Sequence, residues 1–475
     1  MSMATGSLWE TVVGLEVHCE LATATKLFCG CRNAFGDEPN TNICPVCLGL
    51  PGSLPVLNEA AVELAMRIGA ALHCDIRRSI FHRKNYFYPD MPKAYQISQY
   101  DEPLNVNGFL DLPDGSRVGI VRAHLEEDTG KTTHVGTSGR IHGAEHALVD
   151  YNRAGVPLVE IVSAPDIRSA EQAEAYVNEL RAILVAIGAS DARMEEGSLR
   201  IDANVSVRAA GSRAYGIRAE IKNLNSVRSL RRAVEYEARR QIGVLDGGQA
   251  VVQETRHWNE DAGHTVPLRS KEEAEDYRYF PEPDLVPVSP PAQWQDGVRA
   301  ALPALPAARR AELAATVGVG PAEVTGVVKA GLDEWVKAAV AAGIDGRLAL
   351  NRATNEVANR PRAEGVGPAA FVTALRLEQE GRLTATQAKQ VLSHVLVEGG
   401  DPEEVARALG FEALDAGALA TTVDQVVGQH PREWERYLGG EEKLVGFFVG
   451  KVMALTRGKA DGKTVTAVLR AKRGV

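Results

Sequence analysis

Four of the six cysteines lie within nineteen residues, in two close pairs separated by a loop. They are Cys29 and Cys31, then Cys44 and Cys47. This spacing is typical of a tetrahedral zinc site in which each pair supplies two thiolates from a tight turn. Two disulfides are the alternative, but they would leave Cys19 and Cys74 over, and nothing marks the chain as secreted. Because the protein would supply all four ligands, the pattern predicts a structural zinc knuckle over residues 29–47.

A second group of residues suits a divalent cation. Glu16 and His18 lie two positions apart in an alternating segment, so both point to one strand face about 7 Å apart. Glu160 interrupts an apolar run, where an unpaired charge costs several kcal/mol. Residues 126–128 are three consecutive acids, which repel unless a positive charge lies between them. Together the segments predict a carboxylate-rich metal site, and a polar strand face open to water is the alternative for Glu16 and His18.

The elements that would position these residues mix strands and helices. Residues 12–21 and 199–207 alternate apolar and polar side chains, which predicts strands of a sheet with one covered face. Helices are predicted to start at Asn58, at Ser169 with a capping-box pattern, and at Ser226. Because helices do not follow every strand, the pattern favours an α+β sheet domain over a doubly wound one.

A proline-rich segment ends this region. Seven prolines fall between residues 281 and 306, and such a run continues neither a helix nor a central strand. Strand-type alternation then disappears, which predicts a helical bundle. A further break follows at residues 399–402, where Asp401 is the expected N-cap and Pro402 the first helical residue. The predicted helices of the bundle cover residues 308–317, 321–342, 368–380 and 384–396.

The C-terminal residues 447–475 carry a local positive charge on a chain whose formal net charge is −9. Seven basic residues face one acid, Asp461, in this stretch. A local basic patch suits RNA phosphates, and a solvated helix face is the alternative. The seven are Lys451, Arg457, Lys459, Lys463, Arg470, Lys472 and Arg473.

Length and composition exclude several classes of protein. A chain of 475 residues with 24% charged and 45% hydrophobic residues is neither a small disulfide scaffold nor fully disordered, and predicts two to four domains. No apolar run of about 18 residues and no signal peptide occur, which predicts a cytoplasmic protein without a membrane partner. The sequence also lacks a P-loop, a serine nucleophile elbow and an amidase signature.

Five ordered strings closely resemble the B subunit of the bacterial glutamyl/aspartyl-tRNA(Gln/Asn) amidotransferase, and the resemblance extends over nearly the whole chain. It implies a cradle-like catalytic domain over residues 1–290, a helical domain over 291–398 and a small YqeY-like tRNA-binding tail over 399–475. The strings are residues 13–18, residues 83–99 in two parts, residues 124–128, residues 195–200 and residues 276–284.

The resemblance also implies the reaction. ATP phosphorylates the side-chain carboxylate of Glu-tRNA(Gln), Asp-tRNA(Asn) or both, and ammonia then displaces phosphate to leave the amide. Family motif positions assign Glu16, His18, Glu127 and Glu160 to a catalytic Mg²⁺ site, with Mn²⁺ or a role beyond direct ligation open for His18 because Mg²⁺ prefers oxygen. Lys84, Asn85 and Arg256 are the expected phosphate or substrate contacts, and the expected tRNA contacts are Lys451, Arg457, Lys459 and Lys463.

The resemblance implies partners as well. The zinc site occupies four cysteines and Cys19 lies on the apolar side of its strand, so Cys74 is the one remaining candidate for a cysteine glutaminase nucleophile. The sequence has no amidase serine either. Ammonia is therefore expected from an amidase A subunit, with a small C subunit completing a heterotrimer. Misacylated tRNA is the expected substrate, and the cognate aminoacyl-tRNA synthetase is a further candidate partner. A zinc-braced RNA-binding protein without catalysis and a metal-dependent hydrolase are the rival classes.

Overall fold

The computed structural model describes residues 8–136, 144–268, 277–358, 360–363, 365–411, 416–456, 460 and 462–474. The chain divides into two compact units, Met1–Ala307 and Ala308–Val475. The described part of the first unit contains strands and helices, and that of the second is helical. The predicted α+β class followed by a helical region is confirmed.

The first unit contains all the strands of the described residues. They are β1 Trp9–Glu20, β2 Asp75–Ile76, β3 Phe81–Asn85, β4 Tyr95–Gln99, β5 Asn105–Asp111, β6 Arg117–Glu127, β7 Lys131–Gly136, β8 Ala144–Asp150, β9 Pro157–Ser163, β10 Leu199–Ala209, β11 Ala219–Lys222, β12 Glu254–Asn259, β13 His264–Pro267 and β14 Phe280–Pro281. Its helices are α1 Glu59–Ala71, α2 Ala170–Ala186, α3 Val227–Asp246 and α4 Ala292–Ala300.

Twelve of the strands form one sheet. Its main path runs β13-β12-β11-β10-β1-β9-β6-β4-β3-β14, with β5 paired to β6 and β2 paired to β5. Neighbours are antiparallel except for the parallel pair β11 and β12. Strands β7 and β8 form a separate hairpin.

One face of the sheet is apolar and the other is polar, as the alternating pattern predicts. In β1, Val13, Leu15 and Val17 are buried, whereas Glu16 and His18 on the alternate face are only partly buried. The apolar side chains join those of α1, α2 and α3 in one core. The helices therefore cover one face and leave the polar face for a site.

The three helices begin where the sequence predicts. Asn58, Ser169 and Ser226 are the N-caps of α1, α2 and α3, and each side chain accepts a hydrogen bond from a backbone N–H of the first turn. These bonds satisfy amide groups that have no partner within the helix. The predicted helix starts are confirmed.

The second unit consists of short helices. They are α5 Pro306–Val317, α6 Thr325–Lys329, α7 Asp333–Ala341, α8 Gly346–Arg352, a π-helix Ala353–Val357, α9 Pro368–Gln379, α10 Ala385–Glu398, α11 Pro402–Ala408, α12 Ala416–Gln429, α13 Pro431–Leu438, α14 Leu444–Leu455 and α15 Gly462–Arg473. The prediction of one helix over residues 321–342 is wrong. Gly331 has a φ of 66° between α6 and α7, a left-handed conformation that ends a helix.

Two helices pack across the domain limits that the sequence suggested. Val298 of α4 is buried in the core of the sheet unit, and Val405 of α11 packs in one core with α9 and α10. Helices α12 to α15 share a separate core that includes Val423 and Phe448. The limits at residues 290 and 398 stay predictions.

Candidate active site and metal centres

The pairing of four strands lines up the candidate residues on the polar face. Glu160 of β9 lies opposite His124 of β6 on one side and opposite His18 of β1 on the other. His18 in turn lies opposite Arg200 of β10. Directly opposed side chains on one face of a sheet are neighbours, so the fold brings these four together. The three segments that carry His18, His124 and Glu160 therefore meet on one face of the sheet.

Glu160 is at the centre of this row. Its Oε2 lies 3.5 Å from His18 Nε2 and 3.8 Å from His124 Nε2, and its Oε1 lies 3.8 Å from an Arg122 nitrogen. Burial alone would raise the pKa of Glu160, but His124 and His18 lower it below the ordinary value. Glu160 is therefore held as a carboxylate, as a metal ligand must be.

His18 and Glu126 complete a group of metal-ligand type around Glu160. One donor atom from each of the three lies within 4.8 Å of the others. Burial disfavours the charged imidazole of His18, but the hydrogen bond and charge of Glu160 outweigh it and raise the pKa. Ser98 Oγ donates to Glu126 Oε2 at 3.2 Å and helps to orient that carboxylate. Two carboxylates and an imidazole suit a hard or borderline divalent cation.

Glu127 is not brought into this group. Its side chain points to the opposite face of β6, where it pairs with buried Lys93 and accepts a hydrogen bond from the Ile97 N–H at 2.9 Å. The family motif positions pointed to Glu127, whereas Glu126 and His124 occupy this place in the structure. The signal was available, because the period of two puts residues 124 and 126 on one face and residues 125 and 127 on the other.

Glu16 lies on the same face, one rung further along β1. Asn204 Nδ2 donates to Glu16 Oε1 at 3.0 Å. Burial and then the charge of Glu160 raise the pKa of Glu16 above its ordinary value. A cation between the two carboxylates would relieve this repulsion.

Arg200 is a further residue that the sequence analysis did not assign. One of its nitrogens donates to buried Asp128 Oδ2 at 2.6 Å. Asp128 also lies 3.5 Å from Arg153. Burial and the nearby Asp128 raise the pKa of Glu20, whereas the two arginines outweigh burial and lower the pKa of Asp128. Asp128 thus holds the guanidinium of Arg200, whose backbone lies opposite that of His18.

The four cysteines of residues 29–47 come together as predicted. Their Sγ atoms all lie within 4.8 Å of one another, and the backbone N–H of Cys44 donates to Cys47 Sγ at 3.1 Å. Hydrogen bonds from the Cys29 thiol and the Cys44 N–H, with nearby Lys26, lower the pKa of Cys47 to about 5. Thiolate character and four sulfur donors fit a tetrahedral zinc ion.

The other two cysteines are poor nucleophiles. Cys19 and Cys74 are buried, and burial raises the pKa of each to about 12. Reactive cysteines need thiolate character and access to solvent. The structure therefore argues against Cys74 as a glutaminase nucleophile.

The three expected phosphate or substrate contacts lie in different settings. Lys84 lies on the polar face at the β3 edge, with Nζ 4.6 Å from the centre of the Tyr277 ring. Asn85 Nδ2 donates to the backbone oxygens of Tyr277 and Arg278. Arg256 is not brought to the polar face.

Arg256 lies on the face covered by α3. Its Nε donates to Thr265 Oγ1 at 2.7 Å and lies 3.4 Å from fully buried Glu237. These contacts satisfy the guanidinium within the core, where an unpaired charge would be costly.

The expected tRNA contacts are described only in part. Lys451 on α14 and Lys463 on α15 are at least partly exposed, and Arg470 is exposed. Lys472 pairs with Asp424 and Arg473 pairs with Glu442. Arg457, Lys459 and Asp461 lie outside the described residues, as does Asp276 of the string at 276–284.

Within the described ranges, the helices are all too short or too polar to span a bilayer.

Comparisons with known proteins match both parts of the chain. Residues 11–296 match the GatB/GatE catalytic domain, and residues 334–472 match the GatB domain. The B subunit of an aspartyl/glutamyl-tRNA(Asn/Gln) amidotransferase from Frankia casuarinae is 52% identical over 98% of this chain and 96% of its own. Proteins with the same name from Thermobifida fusca and Salinispora arenicola are each 49% identical, over 98% of this chain and 94% and 97% of their own. The chain belongs to the family of aspartyl/glutamyl-tRNA(Asn/Gln) amidotransferase B subunits.

Proposed function

We propose that this chain is the subunit of a glutamine-dependent tRNA amidotransferase that activates and amidates the aminoacyl group. ATP phosphorylates the side-chain carboxylate of Glu-tRNA(Gln), Asp-tRNA(Asn) or both, and ammonia then displaces phosphate to form the amide. The C–O bond to phosphate breaks as the C–N bond forms. Family membership supports the reaction class, and the group of His18, Glu126 and Glu160 is the observation that carries the assignment to this face.

The donor set supports a divalent cation at this group. Glu126 and Glu160 offer hard oxygens for Mg²⁺, and the His18 imidazole makes Mn²⁺ equally suitable. When bound, such an ion neutralises phosphate oxygens and favours phosphoryl transfer. Glu16 lies one rung away, where its carboxylate can help to hold the ion. Glu127 does not join these ligands because its side chain lies on the opposite face of β6.

Cationic side chains on the polar face suit the two anions that must meet there. Arg122 approaches Glu160 from one side, and Arg200 lies beside His18 on the other. Lys84 is on the same face at the β3 edge. Phosphoryl transfer to a carboxylate requires fixed positive charge to offset repulsion between the reactants. We assign these three cations to the phosphates and the carboxylate.

We assign zinc to the four cysteines, as a brace rather than a reactant. The side of β6 that carries Glu127 lines a cavity with Cys29 and Cys47, whereas the reaction group lies on the other side of that strand. Four protein ligands leave no open position on the ion. The zinc knuckle therefore stabilises the sheet unit from the far side.

The ammonia and the RNA imply partners. Burial of Cys19 and Cys74 supports a separate glutaminase, which we assign to the A subunit, with the C subunit completing the assembly. We assign tRNA binding to the basic C-terminal helices through Lys451 and Lys463, with Arg457 and Lys459 from the intervening segment. The cognate synthetase is a further candidate partner, and the cytoplasm is the expected compartment.

ATP turnover tests the proposal. The complex of this chain with its partner subunits should hydrolyse ATP faster when misacylated tRNA is added, and should form the amide with glutamine. If the glutaminase nucleophile is disabled, ammonium salts at high pH should restore amidation, because neutral ammonia reaches the activated carboxylate without the amidase. Absence of tRNA-stimulated ATP turnover would support a rival class, either a non-catalytic RNA-binding protein or a hydrolase.

A further inference from the structure

An aromatic group at the β3 edge of the polar face has no role in the chemistry above. Tyr100 and Tyr279 stack with ring centres 4.1 Å apart and an angle of 7° between the rings. Tyr277 meets Tyr279 edge to face, with centres 6.0 Å apart. Tyr100 nevertheless keeps 53% of its surface exposed. The exposed ring of Tyr100 offers a flat surface on which a further planar group can stack.

This group lies next to the reaction centre. Ser98, two residues before Tyr100, donates to Glu126, and two residues of a strand span about 7 Å. Burial raises the pKa of the Tyr279 phenol, and the nearby charges of Glu126 and Glu160 add to this rise. A ligand stacked on these rings would therefore lie beside the cation group, which consists of His18, Glu126 and Glu160.

The segment that carries Tyr279 is held in a strained shape. Arg278 has a φ of 45°, a backbone angle that residues with a Cβ atom rarely adopt. The Asn85 amide donates to the Tyr277 oxygen at 2.9 Å and to the Arg278 oxygen at 3.0 Å, which fixes this backbone. Strained backbone that surrounding contacts maintain is concentrated at functional sites. Asn85 is thus a positioning residue for the aromatic group.

We propose that Tyr100 and Tyr279 form a stacking platform for the unpaired 3′-terminal nucleotides of the aminoacyl-tRNA. The inference rests on the proposed function, because the amino acid is esterified to the terminal ribose. The side-chain carboxylate that reacts is only a handful of covalent bonds from that ribose, so the last bases must lie beside the reaction centre. Unpaired RNA bases stack on exposed aromatic rings without regard to sequence.

Reach favours these bases over the adenine of ATP. The adenine of ATP is separated from the reacting phosphorus by a ribose and two further phosphates. A platform directly beside the cation group therefore suits the terminal nucleotides of tRNA.

Tyr100→Leu in the reconstituted complex tests the platform, with Tyr100→Phe as the matched control. The leucine variant should raise the KM for aminoacyl-tRNA about 5- to 150-fold, since stacking of one base has this value, while the KM for ATP stays unchanged. The phenylalanine variant keeps the ring and should behave like the wild type. Both KM values come from one enzyme preparation, so their ratio does not depend on the folded fraction.

A fluorescent base gives a second measurement. The fluorescence of a tRNA with 2-aminopurine at its terminal position should be quenched when the tRNA binds to the wild type or to Tyr100→Phe. Binding to Tyr100→Leu should quench this fluorescence less. Tyr279→Leu should have the same effect as Tyr100→Leu, which supplies an independent variant if one substitution disturbs folding.

Several results would overturn the platform while the wild-type complex amidates tRNA normally. They are an unchanged KM for aminoacyl-tRNA in both leucine variants, a rise confined to the KM for ATP, or a loss as large in Tyr100→Phe as in Tyr100→Leu. A loss of glutamine-driven but not ammonia-driven activity would instead identify a contact with the amidase partner and overturn the platform too. A wild-type complex without ATP-dependent amidation would refute the proposed function itself.

Discussion

Glu160→Gln is the most direct perturbation of the proposed reaction centre. The change preserves size and removes one negative charge from a side chain that lies 3.5 Å from His18 and 3.8 Å from His124. The amide offers one weak oxygen ligand in place of a carboxylate. Of the two carboxylates in the cation group, only Glu126 would then remain.

The expected loss is large. Even residues that only orient a metal ligand cost about 10- to 100-fold in metal affinity or activity when they are replaced. Loss of a ligand at the centre of the group should therefore lower ATP-dependent activation at least about 100-fold, or about 2.7 kcal/mol in the barrier. The affinity for tRNA should stay within a few-fold, because it depends on basic groups elsewhere. The assay is transfer of the labelled γ-phosphate of ATP to Glu-tRNA(Gln) or Asp-tRNA(Asn).

Glu10→Gln is the matched control. Glu10 lies on the same face of β1 but pairs with Arg208 at 2.6 Å, outside the cation group, so this variant should activate the substrate normally. Added ammonium should not rescue Glu160→Gln, since no acyl phosphate forms for ammonia to attack. Wild-type activation by Glu160→Gln would make Glu160 a structural residue and refute the assignment of the polar face.

Three further predictions follow from the same geometry. Cys44→Ser should abolish stoichiometric zinc binding and lower the midpoint temperature of unfolding, while the rate constant of the remaining folded enzyme changes little. Metal analysis and thermal unfolding measure these effects, and a wild-type chain that purifies without zinc would contradict the prediction. Replacing Lys451 and Lys463 by alanine should reduce the log–log salt slope of tRNA binding by about 1.4 to 1.8 units, and an unchanged slope would show that both lysines are solvated surface. In metal-free protein, Glu160→Gln should lower the free energy of unfolding most between about pH 4.3 and 6.5. Below this window the Glu160 carboxylate stops stabilising the fold as the pH falls through its lowered folded pKa. Above the window protonated His18 stops stabilising the fold as the pH rises through its raised folded pKa. Urea unfolding should therefore show a smaller difference in unfolding free energy between wild type and variant at both ends.

Local rules in the sequence were sufficient for much of the fold. The N-caps Asn58, Ser169 and Ser226 are recognisable because a short polar side chain before an apolar helical repeat has few other roles. The polar face was predictable because apolar and polar side chains alternate along β1, so that its charged side chains lie on one face of the sheet. The four cysteines were predictable from spacing, because thiolates so close along the chain are readily brought to one ion.

Long-range placement was harder to predict. The string His124–Asp128 offers three adjacent acids. The period of two separates the faces of β6, but only the pairing of β6 and β1 with β9 shows which of these acids meets Glu160. The structure shows that Glu126 joins His18 and Glu160, while Glu127 pairs with Lys93 on the far face. Arg256 was similarly ambiguous, because its burial against Glu237 depends on α3 packing over β12. The break at Gly331 needed a backbone conformation that composition alone does not specify.

The strand register determines which side chains meet in the proposed reaction centre. The group depends on β1, β9 and β6 pairing so that His18, Glu160 and His124 lie on one row. A slip of one residue would turn Glu160 toward the helices and bring Ile161, which is fully buried in the core, to the polar face. The hydrophobic core thus disfavours every register shifted by an odd number of residues, in which the proposed ligands would not share one face. The charges are fixed when the sheet folds, so little reorganisation remains when ATP and the aminoacyl-tRNA carboxylate arrive.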